Sequence, residues 1–385
     1  MAKYRVMKIG IVCYPTYGGS GIVATELGMD LAERGHEIHF IATSLPARLD
    51  ITKSNIYFHK VNVETYPLFD QYQPYSLALS TTIVNIVQSH RLDLLHVHYA
   101  IPHAYAAYFA KQMLKEQGID LPIVTTLHGT DITLVGNHPV YKPAVEFSIN
   151  HSDRVTAVSD SLRDETYELF SIHKEIEVIP NFIDNQQFIK DENCGCRAQM
   201  APDAEKIIIH VSNLRKVKRI QDVIQVFYRI QKEVNAKLII VGEGPEWEKA
   251  NQLVQELGMD QKVKNLGKIN EFQNVLCSSD LFLLPSEKES FGLAALEAMA
   301  AKVPVISSNA GGIPEVNIDG ETGFVLPIGD VDGMAEKAIL LLKNPKMLHE
   351  FKHNAKKQAI RFDQKNIIPM YENLYLAVLE KAQSI

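Results

Sequence analysis

Short runs of aliphatic and β-branched residues alternate along the whole chain with longer stretches whose apolar positions recur every three to four residues. Apolar runs bounded by turn residues suit strands covered on both faces, and the amphipathic stretches between them supply the covering helices. The pattern therefore predicts an α/β protein with parallel sheets built from βαβ units. In the first half strands are expected at 8–13, 37–42, 56–61, 94–98, 123–127, 154–158 and 177–179. The clearest helix is 21–34, with Ile22, Leu27 and Leu31 on one face and Gly35 as its stop signal.

After Pro180 the pattern restarts. The stretch 184–204 is polar and lacks sustained periodicity, so its first part is expected to hold the interdomain linker. A second series of strands is expected at 207–211, 237–241, 263–266, 281–284, 303–307 and 323–326. The chain ends in a packing helix at 366–382, where Ile367, Met370, Tyr371, Leu374 and Leu379 fall at helical spacing. Two similar α/β units in tandem are expected, without a residue-level repeat. Ligands of such folds bind outside the carboxyl ends of the strands, so the chemistry is sought in the loops that leave them.

Composition narrows the function. At 385 residues the chain exceeds what one core organises, which fits two domains. Its 46% hydrophobic and 22% charged residues suit a soluble globular protein. The formal net charge of -7, with no basic stripe, argues against nucleic-acid binding, so an anionic ligand must meet locally placed cations. Lys8 interrupts any signal-like apolar run, and no segment approaches the roughly 20 residues of a membrane span, so a cytoplasmic protein without membrane association is expected. Cys13, Cys194, Cys196 and Cys277 are too few for a disulfide framework. Cys194-Gly195-Cys196 lacks the further ligands of a zinc site and is read as a polar loop.

The most informative segment is 286–300, Ser-Glu-Lys-Glu-Ser-Phe-Gly-Leu followed by a helix. It places Glu289 in a strand-to-helix loop and Glu297 inside the helix. Carboxylates accept paired hydrogen bonds from adjacent sugar hydroxyls, and free amides near Phe291, Gly292 and Leu293 suit an anion. Taken alone, the same pair reads more readily as a solvated helix surface. Upstream, Arg215, Lys216, Lys218 and Arg219 cluster where a helix begins. Cations repel that end of the dipole, so an anion among them explains the cluster better than a solvated helix start.

In the first half, Tyr17-Gly18-Gly19-Ser20-Gly21 joins a strand to a helix as a phosphate loop would, although the G-x-G-x-x-G order is absent. His128-Gly129-Thr130-Asp131 follows another strand. Asp330-Val331-Asp332 looks like a metal-binding pair but stands at a helix start, where carboxylates cap, so no obligatory metal or other cofactor is expected.

These residues together resemble the retaining glycosyltransferases of family 4. The resemblance rests on Glu289, Phe291-Gly292 and Glu297-Ala298, then on 302–306, 311–315 and 319–323, and it extends over essentially the whole chain. It implies the GT-B architecture, two Rossmann-like domains facing a central cleft. Residues 1–185 would form the acceptor domain, 186–365 the donor domain, and 366–385 would return to the first. It also implies that Glu289 holds hydroxyls of the transferred sugar, Glu297 the ribose, and Gly18 and Gly19 the diphosphate. His128 would lie against the sugar. Family members carry an arginine where Asn213 stands, so Arg215 is expected to replace it beside Lys218 on the diphosphate.

Segments 13–15, 96–104 and 127–136 are similar to a branch that uses UDP-N-acetylglucosamine as donor and L-malate as acceptor in the first step of bacillithiol synthesis. Ser20, Tyr99, Thr130 and Arg154 are the expected acceptor contacts, with Thr126 a further candidate of undetermined direction. Arg154 reads equally as a surface residue. Other acceptors, a hydrolysing UDP-sugar epimerase and a silent nucleotide-sugar sensor are the competing readings, and homo-oligomerisation stays open.

Overall fold

The structure, a computed structural model, describes residues 5–16, 18–63, 74–189, 196–269 and 272–383. Tyr17 of the glycine-rich loop and the Cys194-Gly195 pair lie outside the described residues. The chain divides into two compact units, Met1–Asn181 with Lys365–Ile385 and Phe182–Gln364. The division falls just upstream of the polar stretch at 184–204, whose start is a 3₁₀ turn, Asn185–Phe188, with Phe188 buried in the second unit.

The first unit contains β1 Lys8–Val12, β2 Glu37–Ala42, β3 Ile56–Lys60, β4 Leu94–His98, β5 Ile123–Leu127, β6 Arg154–Ala157 and β7 Ile176–Val178. They form one sheet in the order β3-β2-β1-β4-β5-β6-β7. The second unit contains β8 Lys206–Val211, β9 Ala236–Val241, β10 Val263–Asn265, β11 Leu281–Leu284, β12 Val305–Ser308 and β13 Gly323–Leu326, in the order β10-β9-β8-β11-β12-β13. Every pairing among the described strands is parallel, as the continuous apolar runs require.

Burial follows the sequence pattern. Ile9, Ile11 and Val12 of β1 are fully buried, and the helix Gly19–Glu33 covers the sheet with Val23, Leu27 and Leu31. That helix starts at Gly19, two residues before its expected start. In the second unit the helix Ile220–Ile230 buries Ile220, Val223, Ile224, Phe227 and Ile230 in a core shared with β8, β9 and the helix Val331–Lys343. Asp330 caps that last helix, accepting from the Gly333 amide at 2.9 Å, which is the capping role its position predicts.

The terminal helix Gln364–Gln383 packs in the first unit, where Tyr371 and Tyr375 are fully enclosed. His96 Nδ1 and the Tyr375 hydroxyl lie 2.7 Å apart, and Glu372 accepts from Arg34 at 3.2 Å and His36 at 3.1 Å. Among the described residues no helix is long and apolar enough to cross a membrane.

Both sheets reverse strand order once, between β1 and β4 in the first unit and between β8 and β11 in the second. At such a switch point the loops leaving the two strands diverge to opposite faces of the sheet and open a crevice.

Candidate active site at the two switch points

In the second unit the loop after β8 carries the basic cluster and the loop after β11 carries Glu289. The two are tied by the Glu287 amide, which donates to the Val217 carbonyl at 2.8 Å. Lys218 lies one 3₁₀ turn after Arg215, its amide donating to the Arg215 carbonyl at 2.8 Å, and its ammonium donates to Glu289 Oε1. Ser286 Oγ donates to the same carboxylate oxygen at 3.1 Å. Glu289 is thus held by two donors on one oxygen. Lys218 keeps two N–H donors beyond this pair.

Close backbone packing locks the Glu289 loop. Gly311, at φ +51°, has no room for a Cβ, which would sit 1.9 Å from the Glu289 carbonyl, and the Gly312 amide donates to that carbonyl at 3.1 Å. Gly292, at φ +95°, precedes the helix Leu293–Ala300, and no side chain caps that helix. The first amides of a helix suit an anion. Phe291 is buried against Phe362, which anchors the turn, and Glu297 lies half-buried on the helix.

Asn213 and Arg215 are exposed on the β8 loop, and nothing described pairs with the Arg215 guanidinium. Arg219 is taken by Asp222 at 2.7 Å. Beneath the loop, His210 Nδ1 donates to the Leu283 carbonyl at 2.9 Å, leaving Nε2 to accept from Ser212 Oγ at 2.8 Å. Burial pushes His210 down to about 4, so a neutral ring supports the loop.

At the first unit's switch point, Gly18 and Gly19 are exposed at the start of the helix Gly19–Glu33, which has no side-chain cap. Gly21 lies where a Cβ would meet the Thr16 and Tyr14 carbonyls at 2.5 and 2.7 Å. Ser20 Oγ and the Tyr99 hydroxyl lie 2.6 Å apart and join the loops after β1 and β4. Tyr99 takes φ +87°, a conformation a tyrosine rarely adopts, while its amide donates to the Thr126 carbonyl at 2.9 Å. The Tyr99 ring packs against His128, centroids 5.2 Å apart.

Asp131, which sequence reasoning passed over, organises this region. Its carboxylate accepts from the amides of Ala100 at 2.8 Å, His128 at 3.2 Å and Gly129 at 3.0 Å, joining the loops after β4 and β5. Burial raises Asp131 to about 6, against the opposing pull of those amides. The only sequence signal was a carboxylate three residues after a strand-ending histidine.

His128 Nε2 lies 2.8 Å from His98 Nδ1, and His98 Nε2 is buried without a partner. Leaving a lone pair unmatched there costs less than stranding an N–H, so the shared proton belongs to His98 Nδ1. His128 then carries its own proton on Nδ1. Desolvation pushes His128 down to about 3, so it serves as a neutral hydrogen-bonding ring.

Two expected acceptor residues do not join this group. Thr126 is fully enclosed, 2.7 Å from both His96 Nε2 and Thr156 Oγ1, so its hydroxyl supports the sheet from within. Arg154 opens β6 at its amino end, whereas Tyr99 and His128 follow carboxyl ends. The strand runs on to Ala157, so the offset is about 10 Å of backbone. Thr130 remains exposed beside His128.

A tandem of doubly wound units with charged and glycine-rich loops at both switch points defines a glycosyltransferase of the GT-B fold. The description "Glycosyltransferase Family 4" matches residues 17–187, and "Glycosyl transferases group 1" matches 197–358. N-acetyl-alpha-D-glucosaminyl L-malate synthase of Bacillus anthracis is 50% identical over 97% of both chains. 2-Deoxystreptamine N-acetyl-D-glucosaminyltransferase of Niallia circulans is 24% identical over 93% of this chain and 97% of its own. Among solved structures, sucrose-phosphate synthase of Thermosynechococcus elongatus superposes with a TM-score of 0.82 at 20% identity, covering 97% of this chain and 100% of that one. HepE of Anabaena, solved with UDP and glucose, gives 0.81 at 20% identity over 96% and 99%. The chain belongs to glycosyltransferase family 4.

Proposed function

We propose that the enzyme transfers N-acetylglucosamine from UDP-N-acetylglucosamine to the hydroxyl of L-malate with retention of configuration, working in the cytoplasm without an obligatory metal. The observation that carries this reading is the Lys218–Glu289 pair beside the uncapped helix Leu293–Ala300. It sets a cation, a hydroxyl acceptor and the first amides of a helix at one switch point, the needs of a sugar diphosphate. The choice of acceptor is supported by the 50% identical Bacillus anthracis relative, whose name gives L-malate.

In this reading Lys218, Arg215 and the amides at Gly292 and Leu293 hold the diphosphate, while Glu289 accepts from hydroxyls of the transferred sugar. The Ser20–Tyr99 pair, through whichever hydroxyl keeps its hydrogen free, and Thr130 donate to the acceptor's carboxylates, and His128 Nδ1–H lies against the sugar. The bond from the anomeric carbon to the phosphate oxygen breaks, and the malate oxygen bonds to that carbon on the same face. The malate hydroxyl's proton passes to the departing phosphate oxygen. No side-chain nucleophile is needed, and the rate comes from positioning and from stabilising the leaving diphosphate.

The test is incubation with UDP-N-acetylglucosamine with and without L-malate. Malate-dependent UDP release with formation of the glycoside is expected. Acceptor-free isomerisation of the donor would establish an epimerase instead, and binding without turnover a sensor.

Glu297→Ala is expected to weaken UDP binding by about 1–3 kcal/mol, since the ribose hydroxyls lose a shared acceptor. Calorimetric titration of the folded variant with UDP reads this directly, and unchanged affinity would remove Glu297 from the nucleotide site.

A further inference from the structure

Away from either switch point, three imidazoles converge on the outer part of the first unit's sheet. His39 lies in β2, His59 in β3, and His90 ends the helix Tyr75–His90. The parallel register sets His39 opposite Tyr57 and Ile41 opposite His59, so the two histidines are diagonal neighbours on one face. The end of the helix brings His90 over them, with ring centroids 4.6 Å from His39 and 5.1 Å from His59. One ring nitrogen from each lies within 4.8 Å of the others, the only such cluster of His, Cys, Asp or Glu among the described residues. The strand order puts β2 and β3 on the side of β1 away from β4, so the cluster is separate from the proposed active site.

We propose that His39, His59 and His90 form a site for a divalent metal of the zinc class. His39 Nε2 donates to Glu37 Oε1 at 3.0 Å, which leaves its Nδ1 lone pair facing the cluster. A carboxylate behind a histidine in this way fixes the ring and its tautomer, as it does behind metal-bound histidines. His59 Nε2 lies 2.8 Å from His39 Nδ1, so without a metal the His59 N–H donates into that lone pair. A cation takes the place of this hydrogen when His59 adopts its other neutral tautomer.

Tetrahedral zinc with nitrogens at 2.0–2.1 Å sets them about 3.3 Å apart, a small opening of the His39–His59 contact. His39 is fully buried while His59 and His90 are half-buried, so a metal enters from their side and keeps a fourth position for water or an anion. The bound ion would pin edge strand β3 and the end of the helix to β2, a structural brace separate from sugar transfer.

The test uses the untagged full-length chain, zinc chloride and a chromophoric chelator as competitor. One zinc ion per chain is expected, with His59→Ala and His90→Ala each weakening it about 100-fold or more, and Glu37→Gln about 10- to 100-fold. His39 is left intact because its loss from the buried strand could unfold the unit. A parent-like circular dichroism spectrum and cooperative thermal unfolding of each variant without zinc confirm that it is folded. Zinc is expected to raise the thermal midpoint of the parent and not of His90→Ala. Cobalt(II) in place of zinc is expected to show visible tetrahedral bands without thiolate charge transfer, which separates this site from a cysteine site. Failure of the parent to compete with the chelator would overturn the proposal. So would a stoichiometry unchanged in both histidine variants, or thiolate bands from the bound cobalt.

Discussion

The thermal midpoint of the protein is expected to fall steeply as the pH drops from 7 towards 4. Three enclosed histidines of the first unit have folded values far below the usual histidine range, His96 and His128 at about 3 and His103 at about 4, each chiefly through desolvation. Depressed folded values mean that the unfolded chain takes up protons first. The stability these rings contribute is therefore complete above about pH 6.5 and is lost as the pH falls towards 4 and 3. Each contributes a slope of about 1.4 kcal/mol per pH unit once the unfolded state is protonated.

Asp131 works in the opposite sense. Its folded value of about 6 lies above the unfolded one, so between roughly pH 4 and 6 the native state holds a proton the unfolded state lacks. Among these four groups, three protons against one leave about 3 kcal/mol per pH unit, a large share of the roughly 5–15 kcal/mol that holds most proteins folded, and His210, also depressed to about 4, adds to the loss. Scanning calorimetry across pH at constant ionic strength measures this. A midpoint that stays level from pH 7 to 5 would show that these rings are not neutral and enclosed.

Lys218→Ala is expected to reduce turnover about 10²- to 10³-fold, the usual cost of removing a preorganised group that stabilises developing charge. In the proposed mechanism charge grows on the diphosphate as the sugar departs, so the ammonium is expected to act more strongly on the transition state than on the bound donor. The substitution also leaves the Glu289 carboxylate without its cation, with Ser286 its remaining side-chain donor among the described residues. Lys218→Arg restores charge with a different geometry and is expected to recover part of the rate. Steady-state UDP release gives kcat and KM for the donor separately. A KM increase alone, with kcat intact, would make Lys218 a ground-state binding residue.

The fold was legible because each strand announces itself locally. All thirteen expected strands occur, with ends moved by no more than two residues, since buried parallel strands must be apolar throughout. Chain order does not reveal which strands become neighbours, so the switch points emerged only from the sheets. Glu289 and Lys218 stood out through their motifs, but their pairing across 71 positions could not.

Thr126 and Arg154 illustrate what a sequence leaves open. Placing a residue in a strand does not say which face it takes, and Thr126 turned inward. Arg154 carries the right charge but opens β6, so it stands at the opposite end of its strand from the loops that carry Tyr99 and His128. The histidine triad went unread for another reason. Its members lie on three elements, and only the register of β2 on β3 and the length of the following helix bring them together.

The helix Gln364–Gln383 completes the first unit from the far end of the chain, supplying the hydroxyl beside His96 and the carboxylate beside His36. Residues 182–364 form a continuous unit, whereas the first unit is split across both termini. A ribosome working from the amino terminus therefore finishes the later unit first. The earlier one waits with Tyr371 and Tyr375 still missing from its core until the codons for the helix Gln364–Gln383 are read. A stop codon just before Gln364 would therefore leave the first-made half of the protein as the half that cannot close.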